Sequence, residues 1–87
     1  MKSIKNLNRM TYENSAFVGW RLSISRKGAS FVKYFSDRQY GSERKAYAAG
    51  KAALDELKAL LDSAKLVDGK HSAKTVEKGK KLLEKAR

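Results

Sequence analysis

The stretch from Val18 to Leu61 decides the fold of this chain. It begins with two segments that have a period of about two, VGWRLSIS at 18–25 and SFVKYFSD at 30–37, joined by a short turn that contains Gly28. Such a period is typical of strands, and a glycine in a short connection predicts a β-hairpin. An Ala/Leu-rich run with helical periodicity follows Gly41. The stretch therefore predicts a hairpin packed against one long helix.

The amino-terminal residues add a third strand to this hairpin. Residues 6–12, NLNRMTY, carry Leu7, Met10 and Tyr12 among polar residues, and residues 13–16 form a loop of turn-favouring residues. The predicted fold is α+β: a three-stranded antiparallel sheet packed on one long α-helix, in a domain of residues 1–64.

Beyond that domain, residues 65–87 form a basic C-terminal extension. Gly69 predicts a turn or a helix end, and a second helical pattern follows it. Gly79 weakens this second helix by about 1 kcal/mol relative to alanine. Two alternatives are open: a helix that docks through Val76 and Leu83, or a disordered basic arm that orders on a partner.

The long helix has a clear start and one apolar side. Ser42 is a favourable N-cap, and Glu43 lies in the first turn, where the helix dipole stabilises an anion. At about 100° per residue, small and apolar side chains fall on one stripe. They are Ala46, Gly50, Ala53, Leu54, Leu57, Leu60, Leu61 and Ala64. We expect this stripe to pack on the sheet.

The strand at 17–25 divides its side chains cleanly between two faces. Those facing the predicted core are Trp20, Leu22 and Ile24, and those facing away are Arg21, Ser23 and Ser25. Successive strand residues point to opposite faces, so one face is apolar and the other is polar and cationic.

In the strand at 30–37, aromatic rings occur at both odd- and even-numbered positions, so strict alternation fails there. Either one aromatic ring is exposed, or a bulge or twist reconciles the pattern with one buried face. We prefer the twist. We expect it to send Val32 and Phe35 to the core and to leave Phe31 and Lys33 near the open face.

Composition and charge favour a polyanionic partner. The net charge is +11 on 87 residues, and it is unevenly spread: +6 over residues 1–40, zero over 41–64 and +5 over 65–87. If the neutral helix covers one face of the sheet, the excess positive charge is left on the other face and on the tail. The chain has no cysteine, no apolar leader behind Lys2 and Lys5 and no membrane-length apolar run, so we expect a cytoplasmic protein that does not enter a membrane.

Catalytic and metal-binding patterns are absent from the sequence. The single histidine, His71, stands in a turn without cysteine or paired carboxylates, which is typical of a solvated loop histidine. Asp55 and Glu56 are adjacent on a helix and therefore point in different directions. No phosphate-binding glycine loop or nucleophile motif occurs. We expect no enzymatic activity, no cofactor, no metal and no small-molecule substrate.

Several short motifs occur in the order and spacing of a known DNA-binding domain. They are Asn6-Leu-Asn-Arg9, Gly19-Trp20-Arg21, Phe35-Ser36-Asp37 with Tyr40-Gly41, and Ala46-Tyr-Ala-Ala49 leading to Asp55-Glu56-Leu57. Over about residues 6–60 the chain resembles the Apetala-two/ethylene-response-factor DNA-binding domain, in the compact version of bacterial and phage proteins. The resemblance implies a sheet that enters the DNA major groove, with contacts from Arg9, Arg21 and Phe31. Ser23 and Ser25 stand where charged readers often stand in plant members.

The sequence thus predicts a double-stranded DNA-binding protein, a small accessory regulator of transcription or recombination that reads the major groove with its sheet. It leaves the oligomeric state open and favours a monomer. The predicted DNA-binding residues are Arg9, Arg21, Ser23, Ser25, Arg26, Lys27, Phe31 and Lys33, with secondary phosphate contacts from Lys74, Lys78 and Lys81. Two alternatives are open: a small basic interaction or inhibitor protein that binds an acidic protein partner, and an RNA-binding module.

Overall fold

A three-stranded antiparallel sheet packs on a long helix and a shorter C-terminal helix in the computed structural model, which describes residues 2–11 and 17–85. The predicted α+β fold is confirmed. The elements in chain order are β1 Leu7–Met10, β2 Gly19–Arg26, β3 Ala29–Ser36, α1 Asp37–Tyr40, α2 Glu43–Ser63, β4 Leu66–Val67, β5 Lys70–His71 and α3 Ala73–Lys85. The predicted loop at 13–16, and Tyr12 at the end of the predicted first strand, lie outside the described residues.

The β2–β3 hairpin forms as predicted, with an uninterrupted register from Gly19 opposite Ser36 to Arg26 opposite Ala29. Its turn has only two residues, and both have positive φ, 49° at Lys27 and 82° at Gly28. Two consecutive positive φ angles are typical of the tight turns that match the twist of a hairpin. Only the glycine adopts such an angle without steric cost.

The predicted bulge or twist in the strand that became β3 is wrong, and the alternative of one exposed aromatic ring is confirmed, since Tyr34 is 51% exposed. Because the register is continuous, the odd-numbered residues of β3 all face the helices: Ala29, Phe31, Lys33 and Phe35. Phe31 is 3% exposed, whereas Val32 is 53% exposed on the other face. The core accepts Phe31 because α3 covers it, with Gly79 placed directly against its ring.

The long helix follows the predicted stripe. The side-chain oxygen of Ser42 accepts a hydrogen bond from the Lys45 amide at 3.1 Å, which confirms the N-cap. The buried residues of α2 are Ala46, Gly50, Ala53, Leu54, Leu57 and Leu61. The one-turn helix α1 before it was not predicted; Ser36 starts it by accepting from the Arg38 and Gln39 amides.

The chain after Ala64 docks on the core, so of the two alternatives for this extension the structure shows the helix. Leu83 is buried in the same cluster as Trp20 and Phe35, and Val76 packs at its edge. Between α2 and α3 the small β4–β5 hairpin folds back, and the His71 amide donates to the Lys27 carbonyl at 2.8 Å.

His71 is not the solvated loop residue that the sequence suggested. Its side chain is 9% exposed, because the β4–β5 hairpin turns it inward toward Leu61 and Ala64. Within residues 2–11 and 17–85, neither ring nitrogen has a hydrogen-bond partner.

Candidate nucleic-acid interface

The sheet has one face covered by the helices and one open face. Apart from Ser36, which caps α1, strand alternation and register place eight side chains of the three strands on the open face: Asn8, Met10, Arg21, Ser23, Ser25, Ser30, Val32 and Tyr34. This set is called the open face below. It confirms the predicted outward positions of Arg21, Ser23 and Ser25.

Arg21 occupies the middle of the open face. It lies on the central strand, with Asn8 opposite it on β1 and Tyr34 opposite it on β3. Its Nε is buried without a hydrogen-bond partner, and no ion pair to its guanidinium exists among the described residues. The cation is therefore partly desolvated and has free donors. A partner that brings acceptors to this face would satisfy them.

The open face also carries apolar side chains that the sequence interpretation missed. Tyr34 is 51% exposed, and its ring meets the Phe17 ring edge-on at 5.3 Å between centroids. Val32 lies beside Ser23 in the register. The signal was available, since strict alternation from the inward Phe35 would have placed Val32 and Tyr34 outward.

Arg9 does not lie on the open face, and its predicted position there is wrong. It pairs in register with Trp20 and shares the inner side, where its Nη1 and Nη2 donate to the two carboxylate oxygens of Asp37, each at 2.7 Å. Its Nε is 3.7 Å from Glu43 Oε2, and its guanidinium carbon is 5.4 Å from the Trp20 ring centre. The hydrogen bond to Asp37 raises the pKa of Arg9 above its ordinary value. Arg9 thus joins β1 to the helices.

Phe31 and Lys33, also predicted near the open face, lie on the helix side of β3. The Phe31 ring is covered by α3, and the Lys33 Nζ is 5.8 Å from the Phe35 ring centre. The physical reason is the same for both: β3 keeps its alternation, so odd-numbered residues face the helices. Neither side chain can share a contact surface with Arg21.

The turn end of the sheet gathers basic side chains. Lys27 is exposed at the tip of the β2–β3 turn, and the Lys70 side chain from the β4–β5 hairpin packs beside Gly28. Arg26, in contrast, is paired with Asp62 of α2. The structure therefore adds Lys70 to the predicted Lys27 at this end, a neighbour that no local pattern indicated.

The three lysines predicted as secondary phosphate contacts come together on α3. Lys74, Lys78 and Lys81 line one shallow depression with Glu77, and Lys81 lies 3.4 Å from Glu77 Oε1. Because α3 packs on the same side of the sheet as α2, these lysines do not share a surface with the open face.

The expected concentration of positive charge on the open face is wrong for the strands. Of their four cationic residues, Arg9, Arg21, Arg26 and Lys33, only Arg21 projects from it. The other three face the helix side, where carboxylates of α1 and α2 neutralise Arg9 and Arg26.

Two further kinds of site were searched for in the described ranges. Within 2–11 and 17–85, no group of three or more His, Cys, Asp or Glu side chains could hold a metal ion. In the same part of the chain, none of the helices has the length and apolar character needed to cross a membrane.

Comparison of the chain with protein-family models, with curated proteins and with solved structures finds no match. The resemblance to the Apetala-two/ethylene-response-factor domain rests on the motifs quoted above.

Proposed function

We propose that this protein binds double-stranded DNA, with the open face of its sheet against the major groove. The observation that carries the proposal is Arg21: a cation without a partner among the described residues, at the centre of a three-stranded sheet whose other face packs on helices. A helix-backed ribbon of strands is a shape that the major groove admits, and arginine paired to guanine is the commonest specific contact there.

The neighbouring side chains suit the same role. Ser23 and Ser25 offer hydroxyl groups that can donate to or accept from base edges or phosphates. Val32 gives an apolar surface of the kind that contacts a thymine methyl group. Lys27 and Lys70, at the turn end, are placed to contact phosphates along one strand of the duplex. Arg9, Phe31 and Lys33 are not part of this proposed surface.

A role as an accessory regulator of transcription or recombination belongs to the same proposal. In this proposal, the lysines of α3 contact DNA only where the duplex passes around the β3 edge to the helix side. Their contribution is secondary, as phosphate contacts that increase affinity without reading sequence.

Single-stranded nucleic acid is the second candidate, and one observation favours it. Tyr34 is half exposed on the open face with Phe17 beside it, and an exposed aromatic ring on a sheet is the usual stacking platform for unpaired bases. Arg21 next to Tyr34 would contribute a cation in either case.

Titration against random-sequence duplex and against single-stranded DNA and RNA of the same length, at two salt concentrations, tests the proposal. We expect a duplex Kd of about 10⁻⁴ to 10⁻⁶ M at physiological salt, which weakens steeply as salt rises. Tighter binding to the single strands would replace the proposal with the second candidate. No binding to any of the three, even at low salt, would refute both.

A further inference from the structure

The outer edge of β3 is an unpaired strand edge. In the sheet order β1-β2-β3, β3 has a neighbour on one side only among residues 2–11 and 17–85. The two-residue turn makes Arg26 and Ala29 the closing hydrogen-bonded pair, and hydrogen-bonded pairs alternate along an antiparallel ladder. Ser30, Val32 and Tyr34 therefore direct their backbone N–H and C=O groups away from β2. Such a row of unpaired groups is a template for another strand.

A groove runs between this edge and α3. It has a volume of about 320 Å³, with the buried side chains Phe31 and Leu83 at its base. Ser30, Val32 and Lys33 line one side, and Lys80 and Glu84 of α3 line the other. An extended segment that paired with β3 would place every second side chain over this base.

The charged side chains of the groove indicate which kind of strand can bind there. Among residues 2–11 and 17–85, neither Lys33 nor Lys80 has a carboxylate within 4.0 Å, and Glu84 is the one acidic residue of the lining. An inward-pointing charge on an edge strand is a device that opposes pairing between copies of the same protein. Lys33 therefore disfavours a second copy of this chain and favours a strand that carries carboxylates.

We propose that the groove between β3 and α3 binds an extended acidic segment of a partner protein, which adds to the sheet as a fourth strand. Backbone hydrogen bonds to Ser30 and Val32 hold the segment, and its carboxylates meet Lys33 and Lys80. Strand addition gives affinity through the main chain and specificity through alternate side chains. This surface uses the backbone edge and the helix side of β3, whereas the proposed DNA surface uses the outward side chains of the open face. The two surfaces are adjacent and meet at Ser30 and Val32.

Amide exchange measured by NMR on the full chain tests the proposal, with a short peptide of alternating valine and glutamate as the probe. The matched control peptide alternates valine and lysine. We expect the acidic peptide to slow exchange of the Ser30, Val32 and Tyr34 amides by about tenfold or more, while the basic peptide leaves them unchanged. In the double charge-reversal variant Lys33→Glu with Lys80→Glu, the basic peptide should slow exchange of these amides and the acidic peptide should not.

A second variant removes the edge donor itself. Val32→Pro eliminates an N–H that β2 does not use and should abolish peptide binding, whereas Val32→Thr keeps the N–H and should bind as the parent does. If Val32→Pro does not fold, as judged by the near-ultraviolet signal of Trp20, the charge-reversal variant alone tests whether the groove binds an acidic strand. Three results would overturn the proposal: no slowed exchange with the acidic peptide, equal effects of both peptides, or edge amides that slow with protein concentration alone, which would assign the edge to a second copy.

Discussion

Gly79 of α3 lies directly against the ring of Phe31 on β3: a β-carbon at position 79 would stand 2.5 Å from Phe31 Cε1. It would also come within 3.1 Å of Leu57 on α2. At this contact the C-terminal helix meets both the sheet and the long helix, and the missing side chain of Gly79 leaves room for the Phe31 ring.

Gly79→Ala should therefore destabilise the protein although it improves helix propensity. Alanine gains about 1 kcal/mol in a helix interior, while inserting a methyl group into a closely packed contact costs about 1–3 kcal/mol. We expect a net loss of about 1 kcal/mol in the free energy of unfolding, measured by urea denaturation. In a Phe31→Leu background the same substitution should lose much less or become stabilising. An unchanged penalty there would show that the ring is not its cause.

Arg9→Ala should lower stability rather than affect DNA binding directly. It would leave Asp37, whose side chain is 19% exposed, without its bidentate partner. Hydrogen bonds to charged groups contribute about 1.5–3 kcal/mol, so we expect a loss of about 2 kcal/mol in thermal or chemical unfolding. Arg38→Ala, at an exposed position of α1, is the matched control and should change stability by no more than about 0.5 kcal/mol. Equal effects of the two variants would contradict the structural role of Arg9.

Arg21→Ala, in contrast to Arg9→Ala, should weaken DNA binding without lowering stability. Arg21 makes no internal hydrogen bond or ion pair in the described chain, and its Nε is buried without a partner. The substitution should therefore leave stability unchanged or raise it by about 1 kcal/mol, and should not lower it. Affinity for a duplex selected from a random library should fall by about 1–3 kcal/mol if the guanidinium pairs with guanine. Arg44→Ala removes the same charge from the exposed side of α2 and should affect binding much less. Equal losses of affinity would mean that only net charge matters and that the open face does not read bases.

Leu83→Ala tests whether α3 belongs to the core. Leu83 is buried in the main cluster, and truncating a buried leucine costs about 2–5 kcal/mol. The control, Val67→Ala, changes a 58% exposed residue of β4 and should be within about 0.5 kcal/mol of the parent. For the same reason, truncation after Lys65 should destabilise the remaining domain, since it uncovers Phe31. If the Leu83→Ala protein is as stable as the parent, α3 is an appended arm and not part of the core.

His71→Leu should stabilise the protein. Both ring nitrogens are buried without a partner in the described part of the chain, and an unsatisfied buried polar group costs about 1–3 kcal/mol. We expect a gain of about 1 kcal/mol in the free energy of unfolding at neutral pH. His71→Gln keeps a polar side chain at the site and should give no such gain. A destabilised His71→Leu variant would contradict the expectation that the ring is an unsatisfied buried group.

Local patterns in the sequence were enough for the frame of the fold. The period of β2, the glycine in the turn and the stripe that begins at Ala46 each depend on neighbours in the chain. The sequence therefore gave correct predictions of the hairpin, of the Ser42 cap and of the side of α2 that packs on the sheet. The outward positions of Arg21, Ser23 and Ser25 followed from the same alternation.

The errors concern contacts between residues distant in the sequence. In β3, alternation from Phe35 would have placed Val32 and Tyr34 outward and Phe31 on the helix side, but the element that covers the Phe31 ring there, α3, lies far along the chain. The resemblance assigned Arg9 to the open face, whereas its partner Asp37, far along the chain, holds it on the helix side. Lys70 reaches the sheet only through the β4–β5 hairpin, whose strands have two residues each and leave almost no periodic signal.

The backbone hydrogen bond from His71 to Lys27 has a consequence for the order of folding. The β2–β3 hairpin and α2 are formed from residues close together in the chain, and contacts of that kind form quickly. The bond joins the hairpin tip to a point beyond the end of α2, so it closes a long loop whose entropic cost must be met before α3 can cover Phe31. We therefore expect the C-terminal segment to dock last during folding and to detach first under mild denaturant, so that Phe31 becomes accessible before the sheet itself opens.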